Sequence, residues 1–181
     1  MNLSDDITLI LRFRKGDLSA FEEIVRKNED RIFNLCCYML RDTQDAQDAA
    51  QDTFIKTYQG LKDFRPEATL STWVYRIAIN TCLDHKKKSR HELLHGETAD
   101  EELQSSELSP EDKYNSRKTA EAIQTALQQL PEKLRSAIVL REIEGLSYEE
   151  IALVLDISVG TVKSRISRAR EELRVFFQGR L

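Results

Sequence analysis

Proline and glycine are scarce in this chain, at 3 and 6 of 181 residues. A turn-rich β fold needs both. Their shortage, beside 32% charged residues, favours long helices. The three cysteines (Cys36, Cys37 and Cys82) are an odd number without a metal-ligand spacing, which argues against a disulfide scaffold and for a reducing compartment. No apolar run approaches the ~18 residues that would cross a bilayer. The opening residues Met1-Asn2-Leu3-Ser4-Asp5-Asp6 are acidic and lack the hydrophobic stretch of a secretory signal. Catalytic machinery is also thin. His85, His91 and His95 are the only histidines, Cys82-x-x-His85 supplies at most two metal ligands, and Gly145 and Gly160 are isolated rather than part of a phosphate loop. No catalytic residue, metal site or cofactor is expected.

What is present is unevenly distributed charge. The net charge of −4 hides a segment, 91–112, with eight acidic and no basic residues. The flanking stretches 1–90 and 113–181 carry +1 and +3. An acidic isoelectric point near 5.5 usually counts against nucleic acid. With the middle segment set aside, both ends permit it. That segment reads either as a solubilising, flexible linker or as an acidic mimic of nucleic acid lying in a basic channel.

Hydrophobic periodicity divides the rest into an all-α pair of units. In residues 1–90, Ser4 caps a first helix that stops at Lys15-Gly16. Ser19-Ala-Phe-Glu22 reads as a capping box opening a second helix to Leu40. Asp42 caps a third, to about Leu61, with Ala46, Ala49, Ala50, Phe54 and Tyr58 near one face. Pro66 then disfavours helix in the residue before it. Ser71 caps a fourth helix that ends in Lys86-Lys87-Lys88. At the end of the acidic segment Ser109-Pro110 opens a helix to Gln129, which leads into residues 113–181. Leu130-Pro131 separates it from the next, Glu132 to Ile143. Ser147-Tyr-Glu-Glu150 caps a short helix to Leu155, and Ser158 caps the last, to about Phe177.

The final pair has the helix-turn-helix layout. Val159, Val162, Ile166, Ala169, Leu173 and Phe176 form one apolar stripe. The opposite face carries Lys163, Ser164, Ser167 and Arg168, with Arg165, Arg170 and Arg174 beside it. A recognition helix needs this division, because one side must bury while the other offers donors to base edges and phosphates. Gly160 and Thr161 at the helix start let backbone N–H groups approach a phosphate. A basic helix whose arginines pair with Glu171 and Glu172 would show the same composition. Asp156 stands where such turns often have glycine, and a left-handed backbone is tolerated there.

Two further surfaces stand out in the first unit. Trp73, Tyr75, Arg76 and Asn80 lead into Lys86-Lys87-Lys88-x-Arg90, and aromatics beside cations can stack unpaired bases. Phe64 and the loop after it could line a pocket for an extruded base. Packing of the aromatics and solvation of the lysines is the simpler reading. The helix Asp45 to Phe54 has an acid and amide face that could dock on a basic partner helix, with Phe54 as its apolar anchor.

Taken together, Lys15-Gly-Asp17-Leu-Ser-Ala-Phe21, Asp45 through Phe64, Leu70-Ser-Thr-Trp73-Val-Tyr-Arg76-Ile-Ala-Ile-Asn80, Leu130-Pro-Glu-Lys-Leu-Arg135, Gly145-Leu-Ser-Tyr-Glu-Glu-Ile-Ala152 and Val159 to Arg165 resemble the extracytoplasmic-function (group IV) sigma factors of bacterial RNA polymerase. The likeness spans nearly the whole chain. It implies a sigma2-like domain (1–90), an acidic linker (91–112) and a sigma4-like helix-turn-helix domain (113–181). Asp48, Gln51, Asp52 and Phe54 would then face core polymerase. Phe64, Trp73, Arg76 and Asn80 would meet the single-stranded −10 element, and Arg65 to Leu70 would set its base choice. Gly160, Thr161, Lys163, Ser164, Ser167 and Arg168 would meet the −35 duplex. An anti-sigma partner, a cytoplasmic location and no membrane insertion are implied as well. The rival readings are a stand-alone helix-turn-helix regulator and an enzyme.

Overall fold

The computed structural model describes residues 3–65, 68–93 and 110–179. The expectations for Pro66, Glu67, His95, the Ser109 cap and the acidic stretch 94–109 fall outside these residues, as do those for the side chains of Arg90 and His91. Among the described residues there are eight α-helices and no strand. They are α1 Leu3–Arg14, α2 Leu18–Met39, α3 Thr43–Gly60, α4 Leu70–Leu93, α5 Pro110–Gln129, α6 Glu132–Ile138, α7 Tyr148–Leu155 and α8 Val159–Gln178. None is long and apolar enough to cross a membrane.

Most helix starts follow the local chemistry. Asp42 caps α3 by accepting from Asp45 N at 2.8 Å. Ser147 and Glu150 form a complete capping box on α7, and Ser158 caps α8. Two starts move. Helix α2 begins one residue before the expected box, because the Asp17 carboxylate outcompetes the Ser19 hydroxyl. Asp17 accepts from both the Ser19 amide and the Ser19 hydroxyl, and is held by Arg12 at 2.9 Å. Helix α4 begins at Leu70 rather than after Ser71. Thr69 Oγ1 accepts from Thr72 N, while Asp6 of α1 reaches across to accept from Leu70 N at 3.0 Å. The helix also runs past the three lysines to Leu93. Helical backbone therefore enters the expected linker at both ends.

The face that α3 buries differs from expectation. Thr53 and Thr57 join Ala46, Ala49 and Ala50 inside, their hydroxyls donating to the carbonyls of Ala49 and Thr53. Small residues let α3 lie close against α2 and α4. Tyr58 is displaced outward to 44% exposure.

The expected helix 132–143 changes pitch before it ends. Val139–Ile143 form a π-helical turn, closed by Glu144 N donating to Val139 O at 3.2 Å. Gly145 follows in the left-handed region (φ 70°). This turn aims Glu144 at the first unit, where its buried carboxylate accepts from Tyr75 OH (2.6 Å) and Arg31 Nε (3.2 Å). Arg31 also donates to the Glu144 carbonyl. Arg135, 1% exposed, donates to the carbonyls of Met39, Leu127, Gln128 and Leu130. Gln124 Nε2 donates to the carbonyls of Cys37 and Leu40. These are the orphan carbonyls at the ends of α2 and α5, so the contact satisfies backbone groups that a free helix end leaves to water. The two units are thus packed on each other rather than held apart.

Candidate nucleic-acid interface

The C-terminal surface is assembled from neighbours in sequence. Helix α7 ends at Asp156, which adopts the left-handed conformation (φ 53°, ψ 53°) that the turn requires. Ser158 then turns the chain into α8, with its Oγ accepting from Thr161 N at 3.2 Å. Val162, Ile166 and Ala169 are buried, as their spacing predicts. Gly160, Lys163, Ser164, Ser167 and Arg168 are exposed, and Thr161 is half-buried. The hydroxyls of Thr161 and Ser164 bond locally, to Ser158 Oγ and to the Thr161 carbonyl.

Charge pairing divides the basic residues of this helix. Arg174 is held by Glu171 at 2.6 Å, as the ion-pair alternative expects, whereas Arg170 pairs with Glu142 of the preceding π turn at 2.6 Å. Lys163 and Arg168, on the exposed face nearer the turn, have no carboxylate partner among the described residues. A β-carbon added at Gly160 would meet only Ser158 Oγ, at 3.9 Å. Nothing within the chain demands glycine there.

In the N-terminal unit, Trp73, Arg76 and Asn80 share one face of α4, with Arg76 and Asn80 exposed and Trp73 half-buried. Phe64 is only 5% exposed, its ring 5.1 Å from that of Trp73 and steeply inclined to it. It backs the tryptophan from behind rather than opening onto a pocket. Tyr75 points the opposite way, into the contact with Glu144, where burial first and the hydrogen bond second push its phenol far above the usual range. The lysine run is partly committed: Lys86 approaches Glu132 at 3.5 Å and Lys87 approaches Asp84 at 3.5 Å.

The acidic face of α3 is open. Asp48 and Gln51 are exposed, with Gln44 donating to Asp48 at 3.2 Å. Asp52 lies 2.8 Å from His85 Nε2 of α4. Beside them Phe54 lines an apolar groove of about 440 Å³ with Phe21, Gln51, Ile55, Tyr58 and Gln59. Tyr58 meets Phe13 and Phe21 edge-on, at 5.3 and 5.1 Å. An anchor beside a carboxylate face was legible in the sequence. The contributions of Ile55 and Tyr58 were not, because helical spacing alone drew Tyr58 inward.

Gly60 was also missed. A β-carbon there would lie 3.0 Å from Trp73 Cζ2, so the glycine is what lets the indole rest on the end of α3. Cys36 and Cys82 are buried with sulfurs 3.5 Å apart, and that contact and burial push the Cys36 thiol far up. Burial raises Cys37 to about 11. All three cysteines are free, and the surroundings of Cys36 and Cys37 disfavour the reactive thiolate. Among the described residues no three His, Cys, Asp or Glu side chains gather where they could hold a metal ion.

These two surfaces coincide with two family models, Sigma-70 region 2 over residues 24–92 and Sigma-70 region 4 over residues 120–173. The chain is 41% identical to the RNA polymerase sigma-H factor of Pseudomonas aeruginosa, covering 93% of this chain and 91% of that one. It is 40% identical to the ECF RNA polymerase sigma factor SigW of Bacillus subtilis, covering 91% and 92%. Against the ECF sigma-E factor of Escherichia coli the identity is 37%, covering 93% and 92%. Among solved structures, CnrH in complex with the cytosolic domain of CnrY superposes with a TM-score of 0.72 at 26% identity, covering 97% of this chain and 98% of that chain. The sigma factor RpoE of Bartonella quintana, solved with the anti-sigma factor NepR, shares the fold at a TM-score of 0.67. The architecture is that of a two-region sigma factor. The chain belongs to the extracytoplasmic-function sigma factors, which direct transcription initiation.

Proposed function

We propose that this chain docks on core RNA polymerase through Asp48, Gln51, Asp52 and Phe54, reads duplex −35 DNA with α8, and holds the unpaired −10 strand on Trp73, Arg76 and Asn80. Phe64 supports the tryptophan from beneath. The bond-making chemistry is the polymerase's, and this chain supplies binding energy in the cytoplasm, where that enzyme works. One observation carries the reading. Lys163 and Arg168 stand without carboxylate partners on the exposed side of a helix whose other side buries Val162, Ile166 and Ala169 and half-buries Val159, Leu173 and Phe176, while the arginines further along are paired. Gly160 supports it, since open space at that helix start admits a phosphate against the backbone. The apolar groove beside Phe54 suits a partner helix, with the carboxylates beside it matching basic side chains.

Reading two elements at once requires the units to part. A packed body of this length has a radius of gyration of about 16 Å. Elements a turn and a half of duplex apart lie roughly 50–60 Å from one another. The residues between Leu93 and Pro110 reach at most about 60 Å when extended. Domains that separate on polymerase, joined by a linker over 94–109, meet that span. An anti-sigma protein that holds the units together would keep the chain silent, and CnrH and the Bartonella factor were both solved with protein partners.

The test is run-off transcription with purified core polymerase from a promoter carrying both elements. Replacing Lys163 and Arg168 together by alanine should lower the product by at least about tenfold, as loss of base-edge contacts does. The double variant should still co-purify with core enzyme, whereas Asp48→Ala with Asp52→Ala should not. Full transcription by the double variant removes the recognition-helix assignment. Tight promoter binding without polymerase would favour a stand-alone regulator.

A further inference from the structure

Helix α1 precedes the region 2 match, which begins at residue 24. Nothing in the reading above gives it a task. Leu9, Ile10 and Phe13 bury one side of it in the core. Arg12 ties it to Asp17, Ser19 and Glu23. Two further polar attachments, at Asp6 on that buried side and at Arg14, lie eight residues apart, or about 12 Å along the axis. At one end, Asp6 is 2% exposed and accepts from Leu70 N, a residue 64 positions later. At the other end, Arg14 Nη2 donates to the Phe64 carbonyl at 2.6 Å. The two bonds fall on either side of the segment that leads into α4. Phe64 carries the ring beneath Trp73, and Leu70 opens the helix that carries Trp73, Arg76 and Asn80.

Neither bond serves α1 itself. Thr69 satisfies the Thr72 amide locally, as an N-cap does, and the Leu70 amide is left for a carboxylate from another helix. That carboxylate is expensive to hold. Asp6 Oδ1 is buried with no hydrogen-bond partner, and burial raises its pKa. A surface cap would hold the helix end at lower cost. What a buried partner on α1 adds is a fixed starting point for α4 relative to Phe64.

We propose that Asp6 and Arg14 are positioning residues for −10 base choice: α1 braces both approaches to the Phe64–Trp73 pair, so that the α4 face meets an unpaired strand in one orientation. This rests on the reading that α4 holds the −10 strand. Arg14 is exposed, so its replacement leaves the core intact.

The experiment uses holoenzyme, reconstituted from core polymerase and the full chain, on a promoter library randomised separately at the −10 and −35 elements. Asp6→Ala and Arg14→Ala should each flatten the −10 preference by about fivefold, near the low end of what one base pair supplies. Both should leave the −35 preference unchanged. Asp6→Asn keeps an acceptor for the Leu70 amide and should restore the profile, and Arg14→Lys should restore it in part. Trp73→Ala is the reference arm. If Trp73→Ala flattens the −10 profile while Asp6→Ala and Arg14→Ala only lower total transcript, the brace is overturned and the −10 assignment stands. Should Trp73→Ala leave that profile intact, both fall. Parallel losses at −10 and −35 in the α1 variants would show general destabilisation and overturn the brace as well.

Discussion

The two surfaces proposed to face DNA are built in opposite ways. The C-terminal one is local: Ser147, Glu150, Asp156, Ser158 and the Val162-Ile166-Ala169 stripe lie within 23 consecutive residues. The N-terminal one is assembled over 75 positions, with Asp6 and Arg14 from α1, Gly60 from α3, Phe64 from the connection and Trp73, Arg76 and Asn80 from α4. A local site survives if its own helix forms. An assembled site depends on the packing of several elements, so substitutions far from it can reach it.

The largest expected effect lies at Arg135, which ties three carbonyls of its own unit to Met39 of the other. Arg135→Ala strips hydrogen bonds from these four carbonyls, and each acceptor left without a partner is destabilising. A loss of about 3 kcal/mol is expected, read from the denaturant midpoint. Next comes Glu144→Ala, which leaves Tyr75 OH and Arg31 facing a gap. It should weaken the contact between the units by about 2 kcal/mol and increase the radius of gyration of the free chain in small-angle scattering. Retention of the packed dimensions would show that apolar contact alone holds the units together.

Two glycines then separate the two building modes. Gly60→Ala places a β-carbon 3.0 Å from the indole and should destabilise by about 1 kcal/mol. Since Trp73 is the sole tryptophan, its emission should shift directly. Gly160→Ala meets open space and should stabilise α8 by about 0.5 kcal/mol, while transcription falls because a phosphate can no longer approach the backbone. If both variants change folding alike, the contrast between assembled and local surfaces fails.

The smallest effect is pH-dependent. Burial raises the Asp6 pKa above its ordinary 3.8, so the folded chain holds this proton more tightly than the unfolded one. The group therefore favours folding as pH falls through the raised folded value toward 3.8, and that advantage is lost above it. Relative to wild type, Asp6→Asn should gain melting temperature as pH rises from 4 to 7. A flat difference would show that Asp6 titrates normally.

Legibility in the sequence follows the same divide. The caps Asp42, Ser147 and Ser158, the left-handed Asp156 and the α8 stripe each depend on residues within one or two turns, and all could be read directly. Helical phase alone placed Lys163, Ser164, Ser167 and Arg168 on one exposed face. Tyr75 was grouped with Trp73 because both are aromatic and only two positions apart, yet helical phase sends it toward Glu144. The expected box at Ser19 gave way to Asp17 because Arg12 also holds that carboxylate. Asp6 read as an ordinary acidic residue at the start of its own helix. Its partner is 64 residues away, and no periodicity reveals such a pairing. The packing of one unit on the other was illegible for the same reason.

The π turn at Val139–Ile143 makes the chain's register a matter of a single surplus residue. Each residue of an α-helix advances its side chains by about 100°. Deleting one position there would restore an ordinary helical pitch and change the angle at which Glu144 meets Tyr75 and Arg31, yet leave the Ser147 box, the Asp156 bend and the whole of α8 chemically untouched. Adhesion between the halves is thereby adjustable by insertion or deletion rather than by substitution, apart from the grip proposed for α8.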